Sequence, residues 1–222
     1  MKHFIHIPKN GGMTIRKAVG GVATTGANLL DPSYHQRYVE AMRKIGAHPG
    51  TEHSRWRDIK PEYTANTTCF AIVRNPWDRL VSRYFFAKKV KEVEKKGGLD
   101  ATYDVRSFDS FIKSEFDKWG DIEFMWNRAI INWYPAFDHV ADTNNQVRCD
   151  ILRFENYEED VMAYLGRTPA RKRNVTNLNP GKYTDVYTPE TIQWVADRYE
   201  VDISVWGYDF DTGPTKNYWN KQ

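Results

Sequence analysis

Lys9 stands just before a glycine turn in FIHIPKNGGMTIRKAV, residues 4–19. The segment reads as a short apolar strand, a Lys-Asn-Gly-Gly turn and the start of a helix. Strand, glycine turn and helix N-terminus together are a common way to hold a phosphate. Backbone N–H groups of Gly11, Gly12, Met13 and Thr14 could converge on one such group, with the helix dipole adding about half a positive charge. The Thr14 hydroxyl is a further donor, and Lys9 a mobile point charge beside it. The order of residues is not that of the nucleoside-triphosphate loop, where lysine follows the glycines. The same residues also suit a plain turn from strand to helix, with Lys9 merely exposed.

A second basic cluster lies in VRNPWDRLVSRY, residues 73–84. Arg74 falls at the carboxyl end of the apolar run TCFAIV, where open α/β sheets place their ligands. Ser82 follows on the next helix. An arginine fork and a serine hydroxyl suit a second phosphate. Equally, Arg74 could pair with a nearby acid and Ser82 could be a small helix residue. Arg79 and Arg83, at helical spacing, are expected on the surface or in salt bridges.

The elements that must carry these residues alternate. Lys2 to Ile7 reads as the first strand, and Thr14 to Val19 begins a helix. A helix is expected over His35 to Lys44, then a loop around His48 and His53. CFAIV has the composition of a buried parallel strand. Asn75 can cap the next helix, Pro76 fits its first turn, and Asp78 stands where a capping-box acid belongs. That helix is expected to reach about Lys96, before Gly97 and Gly98, with KKVKEVEKK as a solvated face. SFDSFIKSEFDKW follows with Ser107 as cap. DILRF is another buried strand, and ENYEEDVMAYLG the helix behind it. TPETIQWVADRYEVDISVWGYDF gives a capped helix and a closing aromatic segment. The alternation predicts an α/β fold: a P-loop-like central parallel sheet with helices on both faces, in one domain spanning residues 1–222.

Composition fits a single domain with a real core. The chain has 222 residues, 41% apolar and 27% charged, an ordinary globular balance. A net charge of +3 suits an anionic ligand but is no nucleic-acid signature. Cys69 and Cys149 make neither a disulfide framework nor a metal cluster. No signal peptide and no membrane-spanning run is evident, so a cytoplasmic location is expected. Aromatic content is 14%. Trp126, Trp133 and Tyr134 could stack on a sugar ring or pack in the core.

HIPKNGGMTI followed by FAIVRNPWDRLVSRY resembles the sulfotransferases that use 3′-phosphoadenosine-5′-phosphosulfate (PAPS), most closely the carbohydrate enzymes of the heparan and chondroitin type. Both nucleotide motifs are present in order. ILRFENYEEDV and YTDVYTPETIQWVADRYEVDISVWGYDF look like later segments of that family. The resemblance implies that the loop of Lys9, Asn10, Gly11, Gly12, Met13 and Thr14 holds the 5′-phosphosulfate. Lys9 would reach the bridging oxygen, and Arg74 and Ser82 the 3′-phosphate. Asn10 and Met13 replace residues that often bear hydroxyls in relatives, so the loop rests on Lys9, the glycines and Thr14. Lys182 or Tyr183, with Asn174 nearby, would close over the donor. The acceptor would be a hydroxyl, on a carbohydrate or similar molecule.

Such transfer resembles phosphoryl transfer, in which positioning and electrostatics carry the rate. No metal is expected. The acceptor needs a general base, and histidine suits that task. His53 in GTEHSRWRDI is the first choice, with His48 and Glu52 as alternatives. His6 is expected beneath the nucleotide, and His3, His35 and His139 in structural or surface roles. Two rivals stand beside this reading: a P-loop nucleoside or sugar kinase, and a nucleotide-binding module without catalysis.

Overall fold

The computed structural model describes residues 2–18, 21–93, 103–119, 124, 133–167 and 182–211. Within these, Trp126 and Asn174 do not fall. Among the described residues four strands form one sheet: β1 (Lys2–Ile5), β2 (Val22–Thr24), β3 (Thr68–Val73) and β4 (Asp150–Arg153), in the order β2-β1-β3-β4. All pairings are parallel, with Phe4 beside Phe70 and Val73 beside Arg153. The α/β expectation therefore holds. β1 is central because the chain turns to one side of it for β2 and to the other for β3. The crevice between the carboxyl ends of β1 and β3 is the switch point where such sheets bind ligands.

Alternation along β3 divides the core. Cys69, Ala71 and Val73 face the larger cluster, which includes Trp77, Leu80, Phe111, Val195 and Trp206. Phe70 and Ile72 face a smaller one with Phe4, Ile15, Leu152 and Val161. Helices α1 (Gly12–Ala18) and, later in the chain, Tyr157–Leu165 cover the smaller face. On the larger face lie α2 (Pro32–Lys44), α3 (Pro61–Thr64), α4 (Pro76–Lys88), α5 (Phe108–Trp119) and α6 (Ala136–Val140). The Tyr157–Leu165 helix is α7, and α8 (Pro189–Arg198) and α9 (Glu200–Trp206) complete the larger face. Among the described residues no helix is long and apolar enough to cross a membrane.

Helix starts follow local chemistry. The Asn75 side chain accepts from the N–H groups of Trp77 and Asp78 at 3.0 and 3.4 Å, and Pro76 takes the first turn. Ser107 caps α5 through Ser110 N, and Thr188 caps α8 through Thr191 N. α2 begins at Pro32, before the expected His35, because Asp31 accepts from Tyr34 N. α4 ends at Lys88 and passes into a π-helical turn, Lys89–Val93. Its expected extension toward Lys96 lies outside the described residues. Glu200–Trp206, expected within a closing aromatic segment, is helical and stops at Gly207, φ +70°.

Candidate active site

The loop after β1 is held from several directions. Lys9 has a left-handed backbone, φ +68°, and Gly11 follows at φ +77°. Gly11 packs under two rings: an added Cβ would lie 2.9 Å from Tyr157 and 3.1 Å from Phe154. The Tyr157 hydroxyl donates to Gly11 O at 3.2 Å. Gly12 sits on the imidazole of His6, where a Cβ would come within 2.0 Å of Cδ2. Only glycine permits that approach. Thr14 N donates to Gly11 O at 3.0 Å, so its N–H is committed within the turn, unlike in the expected four-donor cradle. Gly12 and Met13 are the first residues of α1, where N–H groups have no intrahelical acceptor. Met13 is half-buried. Asn10 is turned inward, and its Nδ2 donates to Ile72 O at 2.8 Å. Its side chain thus ties the loop to β3.

Arg74 reaches the loop. Its Nη1 donates to Lys9 O at 2.9 Å, its Nε pairs with Asp78 at 2.7 Å, and its plane lies 4.0 Å from the Phe154 ring centroid. Both alternatives for this residue therefore meet in one side chain: it has an acid partner and it stands beside the loop. One stripe of α4, at i, i+4, i+8, runs beneath the site. Asp78 holds Arg74, Ser82 is half-buried, and Phe86 places its ring 4.1 Å from Lys9 Nζ. Asp78 does not close a capping box. The Asn75 N–H instead donates to Glu155 Oε1 at 2.7 Å, from 80 residues away.

Lys9 is electrostatically unusual. Desolvation, then the Arg74, Arg83 and Lys89 cations, pull its pKa down to about 7. Excess positive charge gathers around the loop, which suits an anionic ligand.

His53 is buried, 7% exposed. Its Nδ1 lies 2.8 Å from His6 O, and a carbonyl can only accept. Nδ1 therefore carries the proton and Nε2 is the accepting nitrogen. The His53 and His6 rings are 4.3 Å apart, and His6 feels the charges of both His53 and Lys9. His6 thus joins the two, packed beneath Gly12. His48 is exposed and Glu52 half-buried. His3 is fixed between Tyr63 and Thr25.

One expectation needs correction, and one pair of alternatives is decided. Arg79 and Arg83 are not surface residues but 1% and 0% exposed. Arg79 donates to Pro8 O and Tyr134 O, and Arg83 stacks 4.3 Å from the Trp133 centroid. Neither has an acid one turn away, which was the available sign against surface ion pairs. Trp133, 0% exposed, is core and offers no face to a sugar.

Lys182 is exposed and its N–H donates to Asp185. Tyr183 donates to Phe210 O, and Asn75 Nδ2 approaches its hydroxyl at 3.5 Å. Tyr183 thus flanks the start of α4, and among the described residues no contact from Lys182 or Tyr183 to the loop is seen. Among the described residues no group of His, Cys, Asp and Glu is arranged to hold a metal ion.

No curated protein and no solved structure matches the chain. A model of the Sulfotransferase family does match, over residues 4–209, which takes in the Lys9 loop, the Arg74 segment and the α8–α9 tail. The chain belongs to the sulfotransferase family.

Proposed function

We propose that this chain moves a sulfuryl group from PAPS to an acceptor hydroxyl on a carbohydrate. The observation that carries this reading is the Arg74–Lys9 link: the Arg74 guanidinium, at the end of β3, donates to the Lys9 backbone carbonyl in the loop after β1, so both basic residues stand at the switch point. A donor with phosphates on both sides of its ribose needs two such anion sites. Burial, then the neighbouring Arg74, Arg83 and Lys89 cations, lower the Lys9 pKa, and a bound anion would offset both, which supports the fit. In this reading the N–H groups of Gly11, Gly12 and Met13, with Lys9, hold the 5′ end. Arg74 and Ser82 hold the 3′-phosphate. Lys182 and Tyr183 flank the donor side, where Tyr183 acts from its bond to Phe210 O. Asn10 contributes through its backbone, since its side chain serves β3. The carbohydrate acceptor follows from the likeness of both motifs to the heparan and chondroitin type. The one domain is read as the whole of residues 1–222. A cytoplasmic setting is supported by the free thiols of Cys69 and Cys149.

PAPS supplies the sulfuryl group, which leaves its phosphate oxygen and forms a new S–O bond to the acceptor oxygen. Lys9 stabilises the charge that builds on the departing oxygen. His53 takes the acceptor proton at Nε2, because its Nδ1–H is held by His6 O. The imidazolium that forms keeps that bond.

Transfer of labelled sulfate from PAPS to a panel of desulfated glycans tests the reading. His53→Ala should lower transfer about 10²-fold or more, as loss of a general base does, and leave the affinity for adenosine 3′,5′-bisphosphate unchanged. Transfer surviving in that variant would remove His53 from the role. Phosphoryl transfer from ATP and magnesium instead would establish a kinase.

A further inference from the structure

A left-handed backbone at a residue other than glycine persists only where its surroundings hold it. Lys9 is such a residue. Three side chains grip the peptide around it: Asn10 on Ile72 O, Arg74 on Lys9 O, and Arg79 Nε on Pro8 O at 3.2 Å. Arg79 differs from the others. It is 1% exposed and has no ion pair among the described residues. Its Nη1 donates to Tyr134 O at 2.9 Å, while its buried Nη2 has no hydrogen-bond partner among the described residues. Burying a guanidinium without a carboxylate against it is costly, so such a residue is kept for what it does.

The far side of this bridge is rigid. Tyr199 donates to Trp133 O at 3.0 Å, and the Asp202 carboxylate accepts from Ala136 N and Phe137 N at 2.7 and 2.8 Å. Residues 133–137 are thereby fixed from the α8–α9 side. Burial lowers the Arg79 pKa, and the Tyr199 and Asp202 charges offset only part of that.

We propose that Arg79 is a positioning residue. It clamps the Pro8 carbonyl against the Tyr134 backbone and so holds Lys9 in the left-handed conformation that sets its ammonium over Phe86. This rests on the reading of Lys9 as the group that stabilises the departing oxygen. A planar fork reaches two carbonyls at once, whereas a lysine ammonium is a point donor on a flexible stem.

The test is Arg79→Lys, with Arg79→Gly assayed in guanidinium ion as a second variant. Arg79→Lys should fold and lower kcat about ten- to hundredfold, as a misplaced catalytic group does. The affinity for adenosine 3′,5′-bisphosphate should fall less than kcat does, since Arg74 and the glycine loop still hold the ligand. Guanidinium should restore part of the activity of Arg79→Gly. Acetylation of Lys9 by acetic anhydride, followed by mass spectrometry across pH, needs neither donor nor acceptor. Its midpoint should rise toward that of an ordinary lysine in Arg79→Lys. If the wild-type chain transfers no sulfuryl group, the sulfotransfer reading fails, and the Lys9 profile still decides the clamp. An unchanged kcat and profile overturn the proposal. So does a fall in kcat, affinity and thermal stability together without guanidinium rescue, or failure of both variants to fold, which would make Arg79 a core residue alone.

Discussion

Lys9 should make ligand binding depend on pH. Its pKa is lowered to about 7, and a bound anion supplies the missing counter-charge and raises it again. Binding therefore takes up a proton where free Lys9 is neutral and bound Lys9 charged. The affinity for adenosine 3′,5′-bisphosphate should fall as pH rises above 7, by up to about tenfold per unit, on the side of the profile where the ligand's own phosphates, with second pKa values of about 6, are fully ionised. Titration calorimetry in buffers of different ionisation enthalpy reads this as proton uptake. A flat profile from pH 7 to 9, or proton release, would sink the assignment. Folding without ligand follows the same sign: a lysine whose folded pKa is depressed weakens the fold below pH 7, and that cost fades as pH rises toward 10.5. The residue types at this site were legible because lysine, glycine and arginine have few substitutes in anion binding. Their partners were less so. Asn10 turns inward because Ile72 O, on a strand some sixty residues later, needs a donor. Arg79 and Arg83 are buried because residues 133–134 close over α4. No helical spacing within α4 encodes that cover.

Among the elements, the β1–α1 turn is the most constrained. An alanine at position 12 would push its Cβ to 2.0 Å from the His6 ring, which must then shift. Overpacking of this kind costs about 1–3 kcal/mol, and each kcal/mol lowers Tm by roughly 2–4 °C at this chain length. Gly12→Ala should therefore lose several degrees and, because His6 O holds His53, activity as well. The same change in a His6→Ala background should cost markedly less. If the two effects simply add, close packing on His6 is not why glycine stands there. Elements whose ends are written locally were legible, as the Asn75, Ser107 and Thr188 caps show. β2 was not, since it is three half-buried edge residues with no long apolar run. Nor was the acid that completes the α4 start. Asp78 has the right spacing, but Arg74 takes it, and Glu155 serves the Asn75 N–H across the sheet.

At the scale of the whole molecule, ligand and fold are linked. A ligand at a hundred times its Kd adds about 2.7 kcal/mol, a rise of roughly 5–10 °C for a chain of this length. Adenosine 3′,5′-bisphosphate should produce that rise without magnesium, and Arg74→Ala should abolish it. A comparable rise with ATP and magnesium alone would favour the kinase reading. The layered architecture was legible because strand and helix periods alternate along the chain. The sheet order was not, because pairing β1 with both β2 and β3 is decided by helix packing on two faces.

The start of α4 also sets an order of assembly. Asn75 Nδ2 donates to Asp209 O, 134 residues further along, and Phe210 packs edge-on against Trp77, Tyr183 and Tyr187. During synthesis the Lys9 loop and Arg74 emerge well before Asp209, whose carbonyl holds the Asn75 side chain. A ribosome-arrested chain with Asp209 still in the exit tunnel should bind the bisphosphate more weakly than the released chain.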